Sequence, residues 1–336
     1  MTADLDIIWD AHSCLPIAAG VDVTVLAAHR AAGFHHVAIN IAMDMTPLED
    51  ILRALAWFRA RIGDTEGLVL ASSLADVDRA AASGQLAVSF DIEGAVCLLE
   101  EPAMVQLYAD LGVRMMHLAY NLDNAYAGGC HGNDTGLTPL GREVVEAANR
   151  GGIVMDCSHS SVRSSLEVMA LSERPVVFSH ANAHALVPDT PRNVTDEQIR
   201  ACAATGGVVG ICGYNLFLGR FPAGAEDMAA HIDHVASLVG VDHVGIGWDF
   251  AYPAGGVPLA ANREEYEKYF IDGVRSDAQV QSAEEAYVPL SARPAIAERL
   301  RGLGYDAAAI GKVMGGNFYR VAAACWPKSA GESDAD

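Results

Sequence analysis

At 336 residues, with 51% hydrophobic content, the chain is long enough for one large domain with a sizeable core. Its 22 basic and 43 acidic residues give a formal net charge of −21, which argues against a nucleic-acid backbone as partner, since that needs clustered Lys and Arg. Seven dispersed cysteines without a CxxC pair, an acidic N-terminus and no run of about 18 apolar residues speak against a disulfide framework, a signal peptide and a membrane span, and favour a cytoplasmic protein.

The predicted elements alternate. Short apolar runs come in the order LDIIWDAH, HHVAINIA, GLVLASS, QLAVSFDIEG, VRMMHLAYN, GGIVMDCSH, RPVVFSH, GGVVGICG and HVGIGWDF. Most are continuously apolar, as parallel strands covered on both faces are. Between them lie amphipathic stretches such as PLEDILRALAWFRARIG, TPLGREVVEAANRGG and TDEQIRACAATGG. Thr195 opens the last as an N-cap and glycine closes it. Strand–helix alternation at this pitch predicts an α/β fold of the (β/α)8 barrel type. Nine runs are one more than a closed barrel needs, and GLVLASS, close before the next strand, is the expected extra. Residues 1–327 read as a single barrel domain. The stretch 251–287 reads as an insertion after the last strand, a lid or an oligomer contact, and 328–336 as a disordered tail.

Metal-capable side chains collect at the ends of these runs: His12, Glu93, His159, His180 and Asp249. The C-terminal ends of barrel strands share one face, where active sites are built, so residues far apart in sequence converge there. Imidazoles and a carboxylate around one point make a zinc-type environment, with Glu93 able to bridge two ions. Any single histidine of this kind is as readily a hydrogen-bonded core residue. Five coincidences at strand ends favour a site. His29, His35, His36, His231, His234 and His243 fall in helices or before strands and read as structural, facing the exterior or the opposite end. His131 and His184 lie on loops and are left out of the site.

Taken in order, DAHSCLP, DIEG, GVRMMHLAYN, GLTPLGREVVEAANRGGIVMDCSH, RPVVFSHANAHAL, PRNVTDEQIRACAATGGVVGI, HVGIGWDF and GGNFYRV resemble the renal (membrane) dipeptidase family of the amidohydrolase superfamily, from about residue 6 to 325. The resemblance implies a metal-dependent hydrolase that cleaves the amide bond of a small dipeptide through metal-activated water. It implies one or two Zn2+ ions held by His12, Cys14, Glu93, His159 and His180. Asp249 becomes the proton shuttle and Arg192, of the PRN element, the partner of a substrate carboxylate. A homodimer is compatible with this reading; a nucleic-acid or membrane partner is not expected.

The chain departs from the family pattern at three places. Cys14 stands where the family has a first-strand aspartate. Tyr120 stands where the best-known members have a substrate-contacting histidine. Trp248 puts a bulky ring beside Asp249, at the expected pocket wall. These departures leave open a second reading, an amidohydrolase acting on another small amide, lactam or carboxylate-bearing metabolite, and a third, a non-catalytic metal-binding homologue. Retention of Asp249 with the metal set argues against the third.

Overall fold

The computed structural model describes residues 6–253, 257, 260–277 and 283–327. The expected tail at 328–336 lies outside the described residues, as do parts of 251–287.

β1 (Trp9–Cys14) runs parallel to β2 (His36–Met43), and β2 to β4 (Leu86–Glu93). The same sheet continues through β5 (Val113–His117), β6 (Val154–Asp156) and β7 (Val176–Val177). A parallel bridge from Phe178 to Val209 leads to β8 (Val209–Ile211), which pairs with β9 (Val244–Ile246). Just beyond β9, β10 (Phe250–Ala251) pairs in parallel with Ser13 and Cys14 of β1. That contact closes the ring, and the fold is the expected (β/α)8 barrel.

The extra run is β3 (Leu68–Leu70), which pairs only with the first residues of β4, Leu86 to Val88. β2 already occupies the other edge of β4 there, so β3 lies on the edge that β5 takes over from Phe90 onward. GLVLASS therefore stands outside the ring, as the sequence reading assigned it.

Local chemistry sets the connecting helices. Thr138 accepts from the Gly141 N–H at the start of Pro139–Gly151, with proline in the first turn, and Gly152 ends it in the left-handed conformation. Thr195 and Gln198 form a reciprocal capping box on Asp196–Ala204. Leu48–Asp64 buries Ile51, Ala54, Leu55, Phe58 and Ile62, an i, i+3, i+4, i+7 stripe that covers the outside of the sheet. Inside the barrel, the N-terminal end is plugged by Trp9, Met115, Phe318 and Trp326, with His36 stacked on Trp9 at 3.6 Å. The opposite end is thereby left for polar side chains. Among the described residues no helix is long and apolar enough to cross a membrane.

The histidines set aside as structural have structural partners. His35 Nδ1 accepts from the Ile8 N–H, His231 Nδ1 from the Ala183 N–H, and His234 pairs with Asp196. His29 corrects the reading in one respect. It is buried rather than facing outward, and its ring joins Asp10 of β1 (2.8 Å) to the Tyr252 hydroxyl (2.6 Å).

Candidate metal centre

His12 and Cys14 are two residues apart on β1, so both side chains leave the same face of the strand. His12 Nδ1 lies 3.1 Å from Asp91 Oδ2, and an ionised carboxylate only accepts, so this nitrogen bears the proton. Nε2 then faces inward, 3.3 Å from Cys14 Sγ, 3.4 Å from Glu93 Oε1 and 3.8 Å from Asp249 Oδ1. His159, just after β6, repeats the pattern. Its Nδ1 donates to Asn121 Oδ1 at 2.7 Å, and the amide is oriented by Asn121 Nδ2 donating to the Tyr269 carbonyl. His180, three residues beyond β7, has Nδ1 2.6 Å from Ser179 Oγ. Each imidazole is thus fixed from behind, with Nε2 turned to the centre, as metal-binding histidines are held.

Glu93 ends β4 and completes the set. Its Oε2 accepts from Asn40 at 2.8 Å, while Oε1 lies 3.4, 3.2 and 3.5 Å from the Nε2 atoms of His12, His159 and His180. The Nε2 atoms of His159 and His180 are 3.0 Å apart. Where both Nδ1 atoms bear the proton, two lone pairs face each other across that gap; where His180 Nδ1 accepts from Ser179 Oγ, its Nε2–H donates to His159. Burial holds both imidazoles well below their usual pKa, with Arg192 and His12 adding to the effect, so both rings are kept neutral, the form that binds a metal. Nitrogen and oxygen ligands about 2.0–2.2 Å from one tetrahedral ion stand about 3.3 Å from each other, close to the separations found here. Two donor triplets, His12–Cys14–Glu93 and Glu93–His159–His180, each have their ligand atoms within 4.8 Å of one another, and Glu93 is common to both. The residues present fit a metal.

Residues 23–268 match the family model described as membrane dipeptidase, peptidase family M19. The chain belongs to that family. The match begins after β1, so His12 and Cys14 fall outside it. The chain is 29% identical over 293 residues to an uncharacterized protein in the pqqA 5' region of Klebsiella pneumoniae, covering 83% of this chain and 97% of that one. It is 35% identical over 213 residues to Dipeptidase verJ of Clonostachys rogersoniana, covering 60% of this chain but only 51% of the relative, about half its length. Among solved structures, an amidohydrolase from Pseudomonas aeruginosa superimposes with a TM-score of 0.81 at 26% identity, over 96% of this chain and 97% of that one. A metallo peptidase from Rhodobacter sphaeroides, liganded with a phosphinate mimic of L-Ala-D-Ala, shares the fold, with a TM-score of 0.75 at 22% identity over 95% of this chain and 99% of that one.

In this M19 chain Asp249 follows β9 at a positive φ of 59°, a conformation rare for a side chain larger than glycine. Its N–H donates to the His12 carbonyl at 2.8 Å, which aims the carboxylate at the centre, and burial raises its pKa. Tyr120 lies stacked on His159, with ring centroids 4.3 Å apart. Arg192 is 2% exposed. It donates through Nη2 to the His180 carbonyl and lies over the Phe217 ring, while Nε has no partner. Among the described residues no carboxylate pairs with it.

Trp248 is a correction. It does not wall the pocket: it is fully buried, edge-on to Phe34, with Nε1 donating to the Val288 carbonyl. Asp249 and Trp248 are neighbours in sequence whose side chains leave in different directions.

Sequence reasoning missed a buried pair beneath the centre. His117, the last residue of β5, donates through Nδ1 to the Ile92 carbonyl and meets Asp156 at 2.9 Å through Nε2. Asp156 Oδ1 accepts from the N–H groups of Ser158 and Ser179, the residues immediately before His159 and His180. One carboxylate therefore ties down both histidine-bearing loops. Its pKa is held below the usual range by His117 and these N–H groups, which outweigh burial. His117 and Asp156 end β5 and β6, but the apolar runs VRMMHLAYN and GGIVMDCSH continue past them, so the run ends did not point to them.

Proposed function

We propose that this chain is a metal-dependent hydrolase of a small dipeptide, with zinc as the metal. One observation carries the reading: the Nε2 atoms of His159 and His180, 3.0 Å apart and both facing Glu93 Oε1. In this reading Glu93, His159 and His180 hold one ion, and His12 and Cys14 with Glu93 hold a second. A metal held there would supply Lewis acidity and lower the pKa of a water molecule toward neutral.

The chain's own residues supply the remainder. Asp249 takes the proton released as water attacks and returns it to the departing nitrogen. Its raised pKa and its place beside His12 support that role. Arg192 receives the substrate's free carboxylate in a two-pronged contact, since a buried guanidinium without a carboxylate partner requires an anion. Tyr120, stacked on His159 at the cavity wall, contacts the substrate beside the reacting amide. All seven cysteines are free, which supports a cytoplasmic setting.

The test is metal analysis of the purified protein together with an assay on L,L and L,D dipeptides. Zinc should co-purify, chelation should abolish cleavage, and added zinc should restore it. His180→Ala should lose both metal and activity. Full metal content and full activity in His180→Ala would overturn the assignment.

A further inference from the structure

Above the metal centre lies a cavity of about 200 Å³ whose floor includes Cys14, Glu93, His159 and Asp249. Its walls are aromatic, in two ladders of touching rings. In one set Tyr120, stacked on His159, meets Phe270 at 5.8 Å, and Phe270 stacks on Tyr266 at 5.1 Å with an interplanar angle of 19°. In a second set, Phe217 meets Tyr214 at 4.9 Å and Tyr214 meets Tyr287 at 5.0 Å. The ladders come from segments far apart in sequence, with Tyr266, Phe270 and Tyr287 all supplied after the last barrel strand. Among the described wall residues the acidic one, Asp272, is engaged by His131 at 2.9 Å and Arg275 at 3.4 Å.

Arg192 opens instead onto a neighbouring cleft, which shares only His159 with the ring-walled cavity. With the substrate carboxylate on Arg192 and the scissile amide at the metal centre, the ring-walled cavity is left for the residue on the amino side. We propose that this cavity selects dipeptides whose amino-side residue bears an aromatic or large branched apolar side chain. The inference rests on the dipeptide hydrolase reading above and deepens it. Apolar burial between the ladders favours such a side chain, and ring-on-ring contact adds directionality. A small amino-side residue would leave those faces against water.

The experiment compares Phe-Ala, Leu-Ala and Gly-Ala on the zinc-loaded full chain. It measures kcat/KM and, by calorimetry on the Asp249→Asn protein, equilibrium binding without turnover. Phe-Ala should exceed Gly-Ala by about tenfold or more in kcat/KM, chiefly through KM, and bind correspondingly tighter. Phe270→Ala should shrink the ratio and Phe270→Leu should keep part of it. Cleavage and binding of Gly-Ala equal to Phe-Ala would overturn the preference and leave the hydrolase intact. Tighter binding of Phe-Ala with no dipeptide cleaved would uphold the cavity's selectivity and overturn the hydrolytic reading beneath it.

Discussion

The Cys212 thiol donates to Asp249 Oδ2 at 3.4 Å, from a sulfur that itself accepts the Tyr214 N–H at 3.3 Å. Cys212 is fully buried at the end of β8, and its backbone is pinned on both sides by the Asn182 amide. The thiol therefore fixes one carboxylate oxygen and leaves Oδ1 toward His12 and Cys14. Cys212→Ala should lower kcat roughly threefold to tenfold, the scale of one modest hydrogen bond, with KM and metal content unchanged. Cys212→Ser should recover most of the loss. Steady-state kinetics alongside metal analysis checks this, and a wild-type kcat in Cys212→Ala would remove the role.

Asp249→Asn keeps the shape of the side chain and removes its capacity to take a proton. The variant should retain its metal and lose about 10²–10⁴-fold in kcat, the usual worth of general acid–base work. Loss of metal in this variant would make Asp249 a ligand.

Replacing Arg192 with alanine removes a buried guanidinium that has no carboxylate partner among the described residues. KM for substrates with a free C-terminus should rise on a scale of about 1.5–3 kcal/mol, a charged hydrogen bond's worth, with a smaller effect on kcat. The parent protein should already handle C-terminally amidated dipeptides poorly. Equal turnover of free and amidated forms would exclude this contact.

Burial pushes the Cys14 thiol pKa up, although His12 opposes the shift, so without metal the sulfur keeps its proton. Zinc would displace that proton and bind the thiolate at about 2.3 Å. Cys14→Ser should therefore weaken or remove one ion, and alkylation at Cys14 should be faster after chelation than before. Unchanged stoichiometry together with equal alkylation with and without metal would leave a single ion on Glu93, His159 and His180.

Stability should fall in mild acid through His231. Burial lowers its pKa to about 4 from the usual 6.5, and its Nδ1 accepts the Ala183 N–H. The unfolded chain takes up this proton first, so the contribution is complete above about pH 6.5 and is lost as pH falls toward 4. The full loss is on the order of 3 kcal/mol. Urea unfolding at pH 7.5 and pH 5 should show a smaller difference in His231→Gln than in the parent. An identical pH dependence in both would assign the acid loss to other groups.

The sequence by itself determined the barrel and the address of the candidate metal centre. Short, largely apolar runs such as HVAINIAM, alternating with amphipathic stretches, read as strands covered on both faces, and parallel strands deliver their C-terminal residues to one rim. His12, Glu93, His159, His180 and Asp249 were legible because each sits at or just past such an end, a property that follows from local pattern alone. The tertiary structure decided what local pattern does not encode. It set the orientation of the His12 and His159 imidazoles, because Asp91 and Asn121 come from other strands or loops. It turned Trp248 into the core while Asp249 turned to the centre, left Arg192 buried without a carboxylate partner, and placed Asp156 under two loops at once. It also brought Tyr120 and Phe270, 150 positions apart by their numbers, into ring contact. Each of these depends on which surfaces meet after the barrel closes, and burial with hydrogen-bond satisfaction across long sequence separations sets that outcome.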